Sequence, residues 1–317
     1  MAEIIAKINS KHDSFCGSIL IMKRNLEQYN NLKSGLYIIS TPIGNLDDIS
    51  FRAVKILENL DLILAEDTRR TKQLLNILGI KYPKDGFISF NEKNEKQNLF
   101  KVLNAIDKFS IVGFVCDAGT PCISDPGITL INEFRKRSFS IIPVPGPSAL
   151  TTAISLCGFK FDQKNPISFW SFLPAKKNNR LTFLQKIKSK AGIAVIFEAP
   201  HRIDASIADC LQIFGSKCEM FIGRELTKKF ETLWWGNIGE YINIRTIKSI
   251  SNSNELAGEY VLVFDLSSFG EKINNNHEID QWINILQKYL KPSELATLLS
   301  KQFDMPKKIV YKKIINI

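Results

Sequence analysis

The sequence is poor in histidine, has no paired cysteines and lacks any long apolar run. Three histidines in 317 residues, at 12, 201 and 277, are too few for a structural zinc centre. Six cysteines, at 16, 116, 122, 157, 210 and 218, form no CxxC pair. Several lie in or beside apolar stretches, where a reduced thiol packs as a small hydrophobe. The longest apolar run near the start, Phe15 to Met22, is far short of the ~20 residues a membrane helix needs, and no small-residue cleavage site follows it. Neither GxGxxG nor the P-loop pattern occurs, which removes the common backbone cradles for pyrophosphate and triphosphate. These absences predict a soluble, cytoplasmic, metal-free α/β protein.

What is present is globular: 44% hydrophobic and 23% charged residues. A chain of 317 residues exceeds the usual single core, so two domains are expected. Forty-two Lys+Arg against thirty-two Asp+Glu leave a net charge of +10, which favours an anionic partner such as nucleic acid.

Residues 1–33 show no sustained period and read as an N-terminal extension. From Gly35, short apolar runs alternate with helical periods, the pattern of strand–helix units on a mostly parallel sheet. Strands are predicted at Leu36–Ser40, Leu62–Ala65, Ile111–Cys116 and Phe139–Val144, with helices near 50–59, 68–78, 127–137 and 148–156. Composition turns polar from Gly158 to Pro166, so the first domain is assigned to 34–158 and the second to 159–268. The second carries strands near 167–171, 193–198, 218–222 and 259–265 and helices near 178–190 and 201–214. Residues 251–258 and 267–277 read as loops. The tail, 278–317, divides into three short helical pieces with breaks at Pro292 and Pro306.

The informative residues follow the strands of the first half. They are Ser40-Thr41-Pro42-Ile43-Gly44-Asn45, Glu66-Asp67-Thr68-Arg69-Arg70, Asp117 through Gly127, and Pro145-Gly146-Pro147-Ser148-Ala149. If the strands are parallel, all four loops emerge on one edge, where open α/β sheets bind ligands. Three of the four contain no Lys or Arg; they offer Gly and Pro backbone, Ser124, and the carboxylates of Asp117 and Asp125. Pro145 and Gly146 belong to the same set. Such a rim suits a neutral nucleoside or a cation better than a phosphate, and S-adenosylmethionine combines both. A second reading stands beside it: Asp125, or Asp47 and Asp48, serve only as helix caps, and the glycines only permit turns.

These stretches also carry a resemblance. LYIISTPIGNLDDISFRA (36–53), LILAEDTRRTKQLL (62–75), VCDAGTPCISDPG (115–127) and PVPGPSALTTAISLCG (143–158) resemble the ribosomal RNA small subunit methyltransferase I group of the tetrapyrrole (corrin/porphyrin) methylase superfamily. SFLPAKK (171–177), FEAPHR (197–202), GRELTKKFET (223–232) and GEYVLVF (258–264) extend it. The resemblance implies two α/β domains with a cofactor cleft between them and a small C-terminal helical module for docking RNA. It implies S-adenosylmethionine as methyl donor, a cytidine 2′-hydroxyl in the decoding region of 16S ribosomal RNA as acceptor, and a homodimer. By the same analogy the cofactor touches Pro42, Gly44, Gly119, Thr120, Pro121, Ser148 and Ala149, with Glu198, Ala199, Gly223 and Arg224 contributed by the second domain. One segment departs from the group: where SYHEHNE is common, this chain reads Ser89-Phe90-Asn91-Glu92-Lys93-Asn94-Glu95, without either histidine.

For the chemistry, Glu66, Asp67, Glu198 and Glu225 are the carboxylates placed to accept a proton, with Arg69 beside them. Each stands equally as half of an ion pair with Arg69, Arg70 or Arg224. Between Gln163 and Phe197 lie seven Lys/Arg and no acid, so Lys176, Lys177 and Arg180 are candidate phosphate contacts on the 30S subunit or its RNA. The basic tail reads either as a docking arm or as a dimerisation element. Two other functions stay open: a small-molecule methylase acting on a tetrapyrrole precursor, and a non-catalytic ribosome-binding protein.

Overall fold

The computed structural model describes residues 32–82, 85–106, 109–249, 257–303 and 305–315. Residues 1–31 of the extension expected over 1–33, and most of the loop expected over 251–258, lie outside the described residues. The chain divides into two compact units, one ending at Ala149 and one beginning at Leu150, upstream of the polar stretch from Gly158.

In the first unit the order is β1 (Gly35–Ile39), α1 (Phe51–Leu57), β2 (Leu62–Ala65), α2 (Thr68–Ile77), β3 (Phe87–Ser89), α3 (Glu95–Ala105), β4 (Ile111–Val115), α4 (Ile128–Lys136) and β5 (Ile141–Val144), and α5 (Ala149–Cys157) begins at the boundary and lies in the second unit. The strands form one parallel sheet in the order β3-β2-β4-β1-β5. Parallel strands need both faces covered, which is why they read as continuous apolar runs. The chain moves outward from β1 through β2 to β3 and returns through β4 to β5. The right-handed crossover rule therefore puts α1 and α2 on one face and α3 and α4 on the other. The two cores follow that division. Tyr37, Ile39, Ile63 and Ala65 pack with Ile56, Leu57 and Leu75. Leu36, Leu62, Leu64 and Phe114 pack with Val102, Leu130 and Phe134.

The second unit is built on a mixed sheet. Its strands are β6 (Ile167–Phe172), β7 (Ile193–Glu198), β8 (Glu219–Arg224), β9 (Thr232–Asn237) and β10 (Tyr260–Asp265), in the order β6-β7-β10-β8-β9. Among the described strands only β6 and β7 are parallel neighbours; β10 runs antiparallel to β7 and β8, and β9 antiparallel to β8. Helices α6 (Lys177–Lys190), α7 (Ile203–Phe214) and α8 (Ile238–Ser249) complete the α/β layer. Leu184, Ile187, Ile207 and Phe214 cover Ala194, Ile196, Ile222 and Leu262 of the sheet.

Three helices close the chain: α9 (Ser267–Leu286), α10 (Pro292–Gln302) and α11 (Lys307–Ile315). Residues 267–277, expected as a loop, are the first half of α9. Asp265 Oδ1 accepts from the Ser267 amide at 2.9 Å, satisfying one of the free N–H groups at that end. The helix then runs into Ile279 and Ile283, which share a core with Leu295, Leu299, Val310 and Ile314. That tertiary core outweighs the low helix propensity of Asn274–Asn276.

Candidate functional site

β1, β2, β4 and β5 are parallel, so their following loops share one rim. β1 and β4 are neighbours whose next helices lie on opposite faces, which makes their C-terminal ends the switch point of the sheet. A pair of backbone hydrogen bonds ties the two loops there: Thr41 N–H to Gly119 O and Gly119 N–H to Thr41 O, both 2.9 Å. Gly119 sits at φ 82°, a conformation that favours glycine. Thr120 Oγ1 lies 2.9 Å from Ser40 Oγ and 3.0 Å from Pro147 O, so the loops after β1, β4 and β5 are stitched together. A Cβ on Gly146 would come within 3.1 Å of Ser40 Cβ. Pro42 and Pro121 flank this stitched backbone; Gly44, Pro145 and Gly146 are exposed, and Ser148 is buried ahead of Ala149.

Carboxylates gather on the same rim. Glu66 Oε2 accepts from the Asp117 amide at 3.2 Å, and Asp117 Oδ1 accepts from the Asp67 amide at 3.0 Å, a reciprocal clasp between the ends of β2 and β4. Burial pushes the Glu66 and Asp117 pKa values up; Arg70, 3.1 Å from Asp117, offsets part of the rise there. Asp125 is raised to about 6, first by burial and then by the negative charge of Glu66. Its loop holds Cys122 and Ser124 at φ 68° and 66°. Asp67 is different. It caps α2 through the Arg69 amide and is gripped by the Arg69 guanidinium at 2.6 Å, which holds its carboxyl well below the usual range. The structure thus makes Asp67 and Arg69 a capping ion pair, unsuited to taking a proton.

The expected caps resolve as well. Ser50, not Asp47 or Asp48, accepts from the Ala53 amide to start α1. Gly127, not Asp125, occupies the cap position of α4.

The second sheet has its own rim. β6, β7 and β8 point the same way, so the segments after Phe172, Glu198 and Arg224 share an edge. Glu198 is buried and fully engaged, accepting from the Ala199 amide, Arg202 and Ser206 at 2.6–2.8 Å. Gly223 leaves room for Leu226, and Arg224 donates to Ala257 O at 2.8 Å. Burial raises the Glu225 pKa, but its bonds to Lys228 and to the Glu259 amide outweigh this and leave the pKa lowered. Glu198 and Glu225 are therefore struts rather than bases. Lys176 and Lys177 are exposed at the start of α6. Arg180, expected to meet phosphate, is only 5% exposed and pairs with Asp209 at 2.7 Å, so it is a core ion pair and unavailable to RNA.

The family model of the Tetrapyrrole (Corrin/Porphyrin) Methylases matches residues 35–242. A "Ribosomal RNA small subunit methyltransferase I" of Thermotoga maritima is 43% identical over 66% of this chain and 90% of its own length. A protein of the same name from Neisseria meningitidis is 36% identical over 87% of this chain and 91% of its own length. The chain belongs to the tetrapyrrole methylase family, in its ribosomal RNA small subunit methyltransferase I group. Among solved structures, a cobalt precorrin-4 methyltransferase of cobalamin biosynthesis matches with a TM-score of 0.52 at 13% identity, covering 73% of this chain and 95% of that one, a likeness of fold.

Within this methylase chain, sequence reasoning passed over one part of the rim. β3 is three residues long, below what periodicity reveals, yet it is parallel to β2 and brings the segment after Ser89 to the same edge. There Asn91 and Asn94 donate to Ser89 Oγ, and Asn98 donates to Ser89 O at 2.7 Å, which together make a built turn. Among the described residues no helix is long and apolar enough to cross a membrane, and no group of three or more His, Cys, Asp or Glu is placed to hold a metal.

Proposed function

We propose that this chain methylates small-subunit ribosomal RNA, at the 2′-hydroxyl of a cytidine in the decoding region. The observation that carries the reading is its 36% identity over 87% of the chain to a relative of that RNA-methyltransferase name, which reaches beyond the methylase core. The methyl donor is S-adenosylmethionine. The rim of the first sheet fits it: loops after β1, β4 and β5 carry no Lys or Arg, and Arg69 and Arg70 are paired with Asp67 and Asp117. The backbone stitched together at Thr41 and Gly119, with Gly146 close against Ser40, would shape the floor on which the adenosyl group rests. When bound, the sulfonium supplies an electrophilic methyl group.

The residues of the chain then have two tasks. They orient the ribose so that its oxygen stands in line with the methyl, at ~3–3.5 Å. They also take the proton that the hydroxyl loses as the O–C bond forms. Glu66 is the carboxylate for that proton: its pKa is raised by burial, and among the described residues one of its oxygens accepts from the Asp117 amide. Lys176 and Lys177 contact RNA phosphates from the second rim. In this reading the enzyme works in the cytoplasm as a homodimer, and the lysine-rich tail helix α11 assists docking.

The test pairs two measurements on the full chain: binding of labelled S-adenosylmethionine, then transfer to naked small-subunit RNA and to assembled subunits, with ribose-specific mapping of the product. A methyl on a cytidine 2′-oxygen is the expected result. Cofactor binding without transfer to any RNA would favour a small-molecule methylase. Failure to bind cofactor would leave a ribosome-binding protein.

A further inference from the structure

We propose that Phe172 and Phe230, on the rim of the second sheet, are stacking platforms for unpaired bases of the substrate RNA; the proposal rests on the RNA-methyltransferase reading above. Both rings are presented by built features. In β6, Phe169 pairs with Val195 and Phe172 with Phe197, so one strand carries an extra residue, and Ser171 sits at φ 55°. Such a bulge re-aims the side chain that follows it. Phe172 is left 51% exposed, with its ring propped edge-on against Phe197 at 5.8 Å. The chain then leads directly to Lys176 and Lys177.

After β8, the turn 225–231 is held from within. Glu225 and Thr227 adopt φ 50° and 65°. Glu225 Oε1 accepts from Lys228 Nζ and from the Glu259 amide, both at 2.8 Å, and the Thr227 amide donates to Glu231 Oε2 at 2.6 Å. Arg224 braces the base of the turn through Ala257 O at 2.8 Å, and a Cβ on Gly258 would lie 2.4 Å from Glu225 Cγ. Left-handed non-glycine residues persist only where their surroundings over-determine them, a situation concentrated at functional sites. This turn delivers Phe230, 65% exposed, with Lys229 Nζ 5.5 Å from its ring centroid.

A single exposed phenylalanine is ordinary. Here two stand on one edge, each set up by left-handed residues and each followed or flanked by lysine. A ring beside an ammonium matches a nucleotide, whose base stacks while its phosphate meets the charge. β6 and β8 are three strand spacings apart, about 14 Å, a span for a short unstacked strand. The acid-free stretch from Gln163 to Phe197 favours RNA over an apolar protein partner.

The experiment compares Phe172→Ala, Phe230→Ala and their Trp counterparts. It measures anisotropy of a labelled single-stranded fragment of small-subunit RNA and methylation of that RNA at several concentrations. Each Ala variant is expected to bind about five- to fifty-fold more weakly, raise KM more than it lowers kcat, and keep the salt slope of binding. The Trp variants should stay within about twofold, and Lys176→Glu with Lys177→Glu should instead flatten the salt slope. Cofactor affinity and thermal unfolding should not move. Ala variants that bind like the unaltered protein would overturn the proposal, and so would an Ala-induced change of oligomeric state by sedimentation, which would assign the rings to a protein interface. An unaltered protein that methylates no ribosomal RNA removes both readings; active protein with indifferent Phe variants removes this one alone.

Discussion

Asp67 with its Arg69 apart, the two rims treat their carboxylates in opposite ways. On the first, Glu66, Asp117 and Asp125 crowd together with Arg70 at 3.1 Å from Asp117, and all three are pushed toward the protonated form. On the second, Glu198 is answered by Arg202 and Ser206, Glu225 by Lys228, and Asp209 by Arg180, while Lys176 and Lys177 face solvent. Balanced charge builds scaffold; unbalanced, partly buried charge stores proton affinity where chemistry is needed. A rim of the first kind suits proton transfer beside a cation, and a rim of the second kind suits grip on a polyanion.

Stripping one cation from the balanced side breaks the comparison most strongly. Arg180→Ala leaves the Asp209 carboxylate buried with only Lys177 nearby, at 4.0 Å. Removal of one partner from a buried pair costs about 3–5 kcal/mol, so thermal unfolding by circular dichroism should fall by roughly 10 °C. Lys176→Ala, a few residues away on an exposed cap, should change stability by less than about 0.5 kcal/mol. Equal losses in the two would erase the distinction between strut and contact.

Glu66→Gln tests the unbalanced side. The amide oxygen still accepts from Asp117, so the clasp survives while the proton acceptor is lost. We expect kcat to drop by about 10²–10³ with cofactor affinity nearly unchanged. The wild-type rate should rise as pH climbs through the raised Glu66 pKa, and the variant profile should lose that rising limb. A variant that keeps both kcat and the limb would move proton acceptance elsewhere.

Asp117→Ala combined with Gly146→Val addresses the cofactor cradle itself. The first change frees the Asp67 amide and Arg70; the second places branches against Ser40. Cofactor affinity should fall about a hundredfold by calorimetry, with far-UV circular dichroism retained, whereas Lys176→Glu with Lys177→Glu should leave it intact. Unaltered affinity in the first pair would separate the stitched loops from the ligand.

Much of this architecture is legible in the chain because parallel, doubly covered strands leave apolar runs such as Leu62–Ala65 and Ile111–Val115, and the loops after them stand out by Gly, Pro and Asp. The second sheet is less legible. Hairpin β8–β9 replaces a helical crossover, and the half-exposed Trp-rich β9 has no apolar period to announce it. Site residues divide in the same way. That Gly119 and Thr120 stand on the rim follows from loop composition and parallel order. Roles of charged residues do not, because Asp67, Arg180 and Glu225 were decided by partners between two and thirty-four residues away. Exposed Phe172 was hidden for a related reason: a bulge, not the alternation of β6, sets its direction.

The smallest effect belongs to Asp125, and its sign separates the two rims cleanly. Its native pKa of about 6 lies above the ordinary 3.8, so between those values the native chain holds a proton that the unfolded chain has released. Stability therefore falls as pH rises through that window and stays reduced above it. Asp125→Asn removes the penalty and keeps an oxygen to accept from the Cys116 thiol. With allowance for solvent screening of a partly exposed group, the variant should gain about 1 kcal/mol at pH 7.5, or 2–4 °C in thermal unfolding. At pH 4, where the wild-type carboxyl is already protonated in the fold, the gain should vanish. A pH-independent gain would mean that packing, not burial of the Asp125 charge beside Glu66, Asp117 and Glu92, sets the cost, and the first rim would then be no less balanced than the second.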